Sequence, residues 1–472
     1  MKKSSYITQE ALDKRIGAAH AFDIKKRPIT VGGRQGWATF IIGYTDQAMT
    51  ERTLYALQGV PQEEEITSME ALMAGHLSFA SSEVVYDIES AAREVLRGSV
   101  VLLLEGVEGA LVADARSFSM RSTQEPEKDR TLRGPHVGTN ESLISNLVQI
   151  RRHLRCATLQ TERFLLGEAT TTEVAVLSLS GRADEKLLDT VRHRLQNARV
   201  TALTLTQETL AGILVPQRGL GLINPFPRVR YTERPDVVAA TLMEGKIAVL
   251  CDNSPSVILL PESVFDFFEE ADDYYFPPVT ASYLRLVRIF VFLSSVFLIP
   301  GWLLAVRYAK NVPHTLHFIL AEDGYAVPLF LQFLIIELAM DGLKMASLNT
   351  PSTLSGSFSV IGGLLLGEYA VKSGWFVPQT ILYSAFTGIA NFVPTNYELG
   401  YSFKFMRMSL IFAVEWFGLW GLIGGCVLWL GLLVSTKSIG GTGYLAPFFP
   451  FDPKGITRLF FRHRKGKEEL PH

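Results

Sequence analysis

The chain has 472 residues, with 45 Lys+Arg against 47 Asp+Glu and a formal net charge of −2. That length allows two or three domains, and the near-neutral balance excludes the basic domain that a nucleic-acid footprint needs. The charge is unevenly spread: residues 1–283 carry 30 basic and 37 acidic side chains, residues 284–436 only 8 and 7, and residues 437–472 carry 7 and 3.

The start, MKKSSYITQEALDKR, is polar and lacks the apolar stretch of a signal peptide, so no cleaved leader is expected. Ile29–Val31 and Trp37–Tyr44 read as short strands joined across Gly32-Gly33-Arg34-Gln35-Gly36. Helical patterns follow near 47–58, 66–77 and 88–97. An apolar run Val100–Leu104 then turns at Gly106–Gly109 and returns as Ala110–Ala113. Residues 1–124 thus read as a first α+β subdomain. Residues 125–156 are a polar connecting segment and then a helix, with Leu143, Leu147, Ile150 and Leu154 at helical spacing beside Arg151 and Arg152. Residues 157–283 read as a second α+β subdomain. It has strand-like Val174–Leu179, a helix around 184–196, a helix opening at Pro235, a strand over 246–251 and a last strand at Val257–Leu260. No internal repeat is evident.

Residues 284–436 differ in kind. Ile289–Val306, Met345–Gly367, Ser373–Tyr397 and Trp416–Thr436 are uncharged runs of eighteen residues or more. A hydrocarbon core of roughly 30 Å needs about 20 mostly apolar residues in helix. We read an all-α polytopic membrane domain of four to six segments, with re-entrant pieces allowed, followed by a basic cytoplasmic tail over 437–472. Arg458, Arg462, Arg464, Lys465 and Lys467 favour a cytoplasmic C-terminus, and Arg285 and Arg288 a cytoplasmic head. Asn349-Thr350-Pro351-Ser352-Thr353 is a polar break that reads as a re-entrant turn or as a surface loop. Gly363–Gly367 and Gly421–Gly425 match the small-xxx-small spacing that lets helices approach closely.

Carboxylates in such a region carry the functional reading, because an acid in lipid costs at least ~2.5 kcal/mol and normally faces a partner or a wet cavity. The candidates are Glu337, Asp341, Glu368 and Glu415. Glu337 and Asp341 are four apart and share a helix face, with Lys344 three further on. One reading lines an ion pathway with Glu337, Asp341, Lys344, Glu368 and Glu415. The other pairs Asp341 with Lys344 to fix helix packing, with Glu337 satisfied by a neighbour.

Other chemistry is absent from the sequence. It has no phosphate-cradling Gly-x-x-x-x-Gly-Lys loop, no His-Glu-x-x-His, no Cys-x-x-Cys and no Gly-x-Ser-x-Gly. We therefore expect no enzyme, no cofactor and no metal, His314 and His317 being too isolated to form a site. Cys156, Cys251 and Cys426 are scattered and suit a reducing compartment rather than a disulfide frame.

Several segments together resemble the GerA family of spore germination membrane proteins, A-subunit type. They are Glu125-Pro126-Glu127 with Leu132-Arg133-Gly134-Pro135 and Asn146…Arg151-Arg152; Asn224-Pro225-Phe226-Pro227 with Arg230-Tyr231-Thr232-Glu233-Arg234-Pro235-Asp236; Asn253–Val257; Asp341-x-x-Lys344-Met345-Ala346-Ser347-Leu348; Pro394–Leu399; and Pro447–Lys454. The chain departs from the family pattern at His136 and Thr139. The signature positions Arg133, Gly134, Arg230, Glu233, Arg234 and Pro235 carry most of the match in the head, and the second of these runs resembles a paralogue of the receptor A subunits.

The resemblance implies a multi-pass protein of the spore inner membrane, with head and C-terminus cytoplasmic, acting in germination. It implies a homo-oligomeric ring around a cation-conducting path gated through the head, in contact with membrane lipid. The partner is a second small membrane subunit or, for a nutrient germinant receptor A subunit, the other receptor subunits. A reading of another class is a non-conducting membrane scaffold that clusters germination proteins.

Overall fold

The computed structural model describes residues 6–77, 81–116, 125–126, 129–216, 221, 223–321, 325–349, 370–393, 396–441 and 443–460. The chain divides into an α+β unit, made of the chain up to Pro216 with Val229–Pro261, and a helical unit that begins at Glu262. The short segment ending at Arg228 belongs to the helical unit.

The α+β unit holds two five-stranded sheets. The first is built from α1 (Gln9–Ile16), β1 (Ile24–Val31), β2 (Arg34–Ile41), α2 (Gln47–Gln58), α3 (Met69–His76), β3 (Ser82–Val85), α4 (Ile88–Arg97), β4 (Val100–Leu104) and β5 (Ala110–Ala113). The second is built from α5 (Leu143–His153), β6 (Leu159–Leu166), β7 (Thr172–Leu179), α6 (Glu185–Gln196), α7 (Thr206–Leu214), β8 (Arg230–Thr232), α8 (Pro235–Met243), β9 (Ile247–Cys251) and β10 (Val257–Leu260). Strand order is β1-β2-β4-β5-β3 in one and β6-β7-β9-β10-β8 in the other, antiparallel throughout.

These are one topology used twice. Each copy runs helix, two strands, two helices, strand, helix, two strands. In the first α1 packs on α4, and in the second α5 packs on α8. The sequence shows no repeat, so the duplication is visible only in the fold. The reason is that a layered fold is selected by the pattern and volume of its apolar residues, which unlike sequences can supply equally well.

Period-two alternation builds the first copy. Val100, Leu102 and Leu104 pack with Leu54 and Leu57 of α2 and Met69 and Leu72 of α3. Val101 and Leu103 point to the opposite face, against Leu12 and Ile16 of α1 and Ala91 and Val95 of α4. Both faces are covered, which is why β4 reads as an unbroken apolar run. The polar side chains that start these helices are their N-caps: Thr8, Asp46, Ser68, Asp87, Ser142 and Asp184 each accept from a first-turn N–H.

The β1 strand is longer than expected. Lys25, Lys26, Arg27 and Pro28 extend it, and the sheet order makes it an edge strand, where a proline and exposed cations are tolerated. Sequence reading also passed over α1, β3, β6, α7 and β8, which are short or half exposed.

The longer helices among the described residues of the helical unit are α9 (Pro278–Arg307), α10 (Leu329–Asn349), α11 (Pro378–Ala390), α12 (Tyr397–Phe417), α13 (Leu419–Ser435) and α14 (Pro453–Phe460). Among the described residues, α9 is the one helix both long and apolar enough to cross a membrane, and α13 is a shorter apolar helix. The α10 and α12 helices have 21 residues each, about 30 Å of helix, but carry charged side chains.

Aromatic packing ties this unit together. Phe226 meets Phe403 and Trp429 edge-on at 5.7 and 5.8 Å, and Phe292 lies 4.4 Å from Phe403. Asn224 Nδ2 donates to Thr436 Oγ1 at 2.6 Å, and the Ser402 hydroxyl donates to the Pro225 carbonyl. The Asn224–Pro227 run is thus a plug into the helices. Arg285 and Arg288 are buried rather than free: Arg285 meets Glu269 at 3.0 Å and both arginines engage Asp273.

Candidate functional site

Two facing helices build a buried charge cluster in the helical unit. Glu337 and Asp341 lie four apart on α10, and Lys404 and Arg407 lie three apart on α12, so each pair shares one face of its helix. Arg407 donates to Glu337 Oε1 from Nη2 at 2.6 Å and from Nε at 3.0 Å. Lys404 Nζ bridges the two acids, 3.0 Å from Glu337 Oε2 and 2.5 Å from Asp341 Oδ2. A further contact runs from Arg407 Nη1 to the Ser295 carbonyl of α9 at 3.4 Å.

Burial is deep: Arg407 is 0% exposed, Glu337 3% and Lys404 7%. Two acids and two bases balance one another. Such a cluster needs every charge matched, because an isolated ion in a low-dielectric interior is very costly.

The structure brings together only some of the sequence candidates. Glu337 and Asp341 sit at the centre. The Lys344 ammonium lies 4.5 Å from the Phe392 ring and 5.7 Å from the Tyr401 ring. Glu415 is exposed at the far end of α12, where its backbone carbonyl accepts from Arg307 at 2.6 Å. Glu368 lies outside the described residues, as do the 350–353 part of the polar break and the Gly363–Gly367 pattern. Gly421 and Gly425 lie where α13 meets α12: a Cβ at Gly421 would stand 1.9 Å from the Ala413 carbonyl oxygen, and one at Gly425 2.6 Å from a Leu410 methyl.

In the α+β unit the signature residues meet at one corner. Arg234 is fully buried and bonds Asp236 at 2.8 and 3.1 Å. It also donates to the Asp129 carbonyl at 3.2 Å and the Pro135 carbonyl at 3.0 Å, clamping both ends of the loop that holds Arg133 and Gly134. Arg133 is exposed on that loop, and Gly134 takes φ 123°, a conformation open to glycine. The Glu233 carbonyl accepts from Thr139 N at 2.8 Å, and its carboxylate from Ser256 Oγ at 3.2 Å. Arg230 is buried in β8, and Pro235 occupies the first turn of α8.

His136 contacts Glu125 at 3.0 Å. Together with the Thr131 N–H, this holds the Glu125 carboxyl below the usual range. Cys156, Cys251 and Cys426 are free thiols, and burial pushes that of Cys251 up to about 12.

A family model described as Bacillus/Clostridium GerA spore germination protein matches residues 10–469. The chain belongs to the GerA family.

Among GerA relatives, stage V sporulation protein AF of Bacillus subtilis (strain 168) is 30% identical over 97% of this chain and 92% of its own length. Spore germination protein KA of the same organism is 30% identical over 78% of this chain and 67% of its own length. The crystal structure of the N-terminal domain of the A subunit of the Bacillus megaterium spore germinant receptor GerK3 aligns with a TM-score of 0.40 and 22% identity, over 53% of this chain and 91% of that one.

Sequence reasoning overlooked Lys404 and Arg407 in this GerA chain. A signal was there: two cations at helical spacing in an otherwise apolar stretch are as costly in lipid as two acids, and opposite charges so placed call for each other. The packing alternative paired Asp341 with its near neighbour Lys344 because both lie on one helix. The bonded ammonium comes instead from Lys404, 63 residues away.

Proposed function

We propose that this chain is a multi-pass protein of the spore inner membrane that acts in germination as a subunit of an oligomeric cation channel, with its α+β head on the cytoplasmic face as the gating element. The carrying observation is Glu337, 3% exposed and held by Arg407 and Lys404. Buried ion pairs are poor stabilisers, since apolar residues of equal volume often do as well. Ionisable groups kept at membrane depth mark ion pathways or switches. In this reading α9, α10, α12 and α13 cross the bilayer. The paired cluster is the closed state. Opening parts the pairs and presents two carboxylates per subunit to a permeating cation, as acidic rings do in cation-selective pores.

Near end-to-end similarity to stage V sporulation protein AF, against partial coverage of protein KA, favours an auxiliary germination protein with its own small membrane partner over a nutrient receptor A subunit. The test is ion flux in liposomes carrying the purified full-length protein. E337Q combined with D341N should change conductance or cation selectivity, and identical flux would remove both residues from the path.

The balanced charge of the cluster also supports a second reading, a non-conducting scaffold whose ion pairs only lock helices. Impermeable liposomes, together with dispersal of germination proteins in spores lacking this chain, would select it.

A further inference from the structure

A hydroxyl stripe lines the inner face of α11. Thr380, Ser384 and Thr387 fall at positions i, i+4 and i+7 and are each 0% exposed. The outer face carries Leu382, Phe386 and Ile389, at 64%, 37% and 70% exposure. The stripe faces α10. Gln332 Oε1 accepts from Thr380 Oγ1 at 2.9 Å and from Val377 N at 3.0 Å. Eight residues further along both helices, a Cβ at Gly388 would run into the Met340 side chain, so α10 and α11 run parallel in register.

The outer two hydroxyls are satisfied. Thr380 Oγ1 lies 2.8 Å from the Val377 carbonyl as well as 2.9 Å from Gln332 Oε1, and its one proton serves these two acceptors in turn; Thr387 donates to the Ser384 carbonyl at 3.1 Å, the local bond that serine and threonine make in apolar helices. Ser384 makes no such bond: its Oγ is buried and has no protein partner among the described residues. Buried polar atoms without a protein partner are met by ordered water when the site is polar.

Two more such atoms lie further along. Asn391 Oδ1, just past the end of α11, is buried and has no partner among the described residues, and neither has Asp341 Oδ1, the oxygen that Lys404 leaves unused. Asn391 lines a cavity with Lys344, Tyr397, Gly400, Tyr401 and Lys404.

We propose that water enters the α10–α11 seam inside a single chain on both sides of Met340, at Ser384 and in the cavity at Asn391. Its consequence is access: bulk protons reach the Asp341–Lys404–Glu337 cluster from the Asn391 cavity, which Lys404 lines, without crossing any interface between copies. The proposal rests on the membrane reading of this unit and not on conduction.

The experiment uses full-length protein in liposomes, with Cys156, Cys251 and Cys426 changed to serine. S384C and N391C are treated with a membrane-impermeant, positively charged methanethiosulfonate. Only a thiol in contact with water ionises and reacts. Both should react at least about tenfold faster than I389C on the outer face. S384C reacting no faster than I389C overturns the seam. Radiolytic hydroxyl-radical labelling of the unmodified chain gives a second readout free of any substitution. Met340 should be oxidised in the folded protein, and a protected Met340 counts against the seam. Labelling at Ser384 in a chain that passes no ions keeps the seam and sinks the channel. Ion flux with a dry Ser384 does the reverse.

Discussion

Arg151 of α5 and Asp23, which precedes β1, form a closed ion pair between the two copies of the head fold, 128 residues apart in sequence. Arg151 is 2% exposed and Asp23 0%. Thr161 of β6 completes the set by donating to Asp23 Oδ1 at 2.7 Å.

Removing one member leaves a buried charge without its counter-ion, so D23A or R151A should cost about 3–5 kcal/mol. Thermal unfolding of the full-length protein in detergent should show a fall of several degrees for either variant. The double variant D23L/R151M should recover most of that loss, and a double variant as unstable as the singles would refute this account of the pair.

The same logic applies to the helical unit. R407M leaves Glu337 buried with one cation, Lys404, shared with Asp341. It should destabilise the protein by about 3–5 kcal/mol, whereas R407M/E337M should behave nearly like the parent in size-exclusion and melting measurements. Equal stability of R407M and the parent would mean that water already satisfies Glu337.

Close approach of α12 and α13 makes a sharper prediction. G421A places a methyl 1.9 Å from the Ala413 carbonyl oxygen, which the backbone can relieve only by moving, while a Cβ at Gly424 meets nothing within 4 Å. G421A should cost about 1–3 kcal/mol of stability and G424A almost none. Melting curves that do not separate the two variants would contradict this packing.

Asp114 supplies a pH test. Arg116 donates to its carboxylate from Nε at 2.6 Å and holds its pKa below the ordinary value. A carboxyl depressed in the folded state adds stability above its unfolded pKa of about 3.9, and that contribution is lost as pH falls through the folded pKa. The parent should therefore melt slightly above D114N at pH 7, with the gap closing as the pH falls below the unfolded value. The pair is about one-third exposed, so solvent screening keeps the effect small. A gap that widens in acid would have the wrong sign.

Much of this protein was legible in its residues. The apolar run Val100–Leu104, the proline opening α8 and the long uncharged stretch of α9 mark a strand, a helix start and a helix long and apolar enough to cross a membrane, because burial imposes a period and a length that local sequence must carry. Glu337 and Asp341 stood out as acids among apolar residues for the same reason. The Asn224–Pro227 and Arg230–Asp236 runs were recognisable as motifs, though not as a plug and a clamp.

Pairing across distance was not legible. Lys404 and Arg407 meet Asp341 and Glu337 over 63 and 70 residues, and Arg151 meets Asp23 over 128. The duplicated sheet order was equally hidden. Alternation states which face of a strand is buried, and helix spacing states which side chains align, but neither names the partner. That choice belongs to the folded chain, where each buried charge is met by the nearest opposite one and two unlike sequences settle into one strand order by filling the same layers.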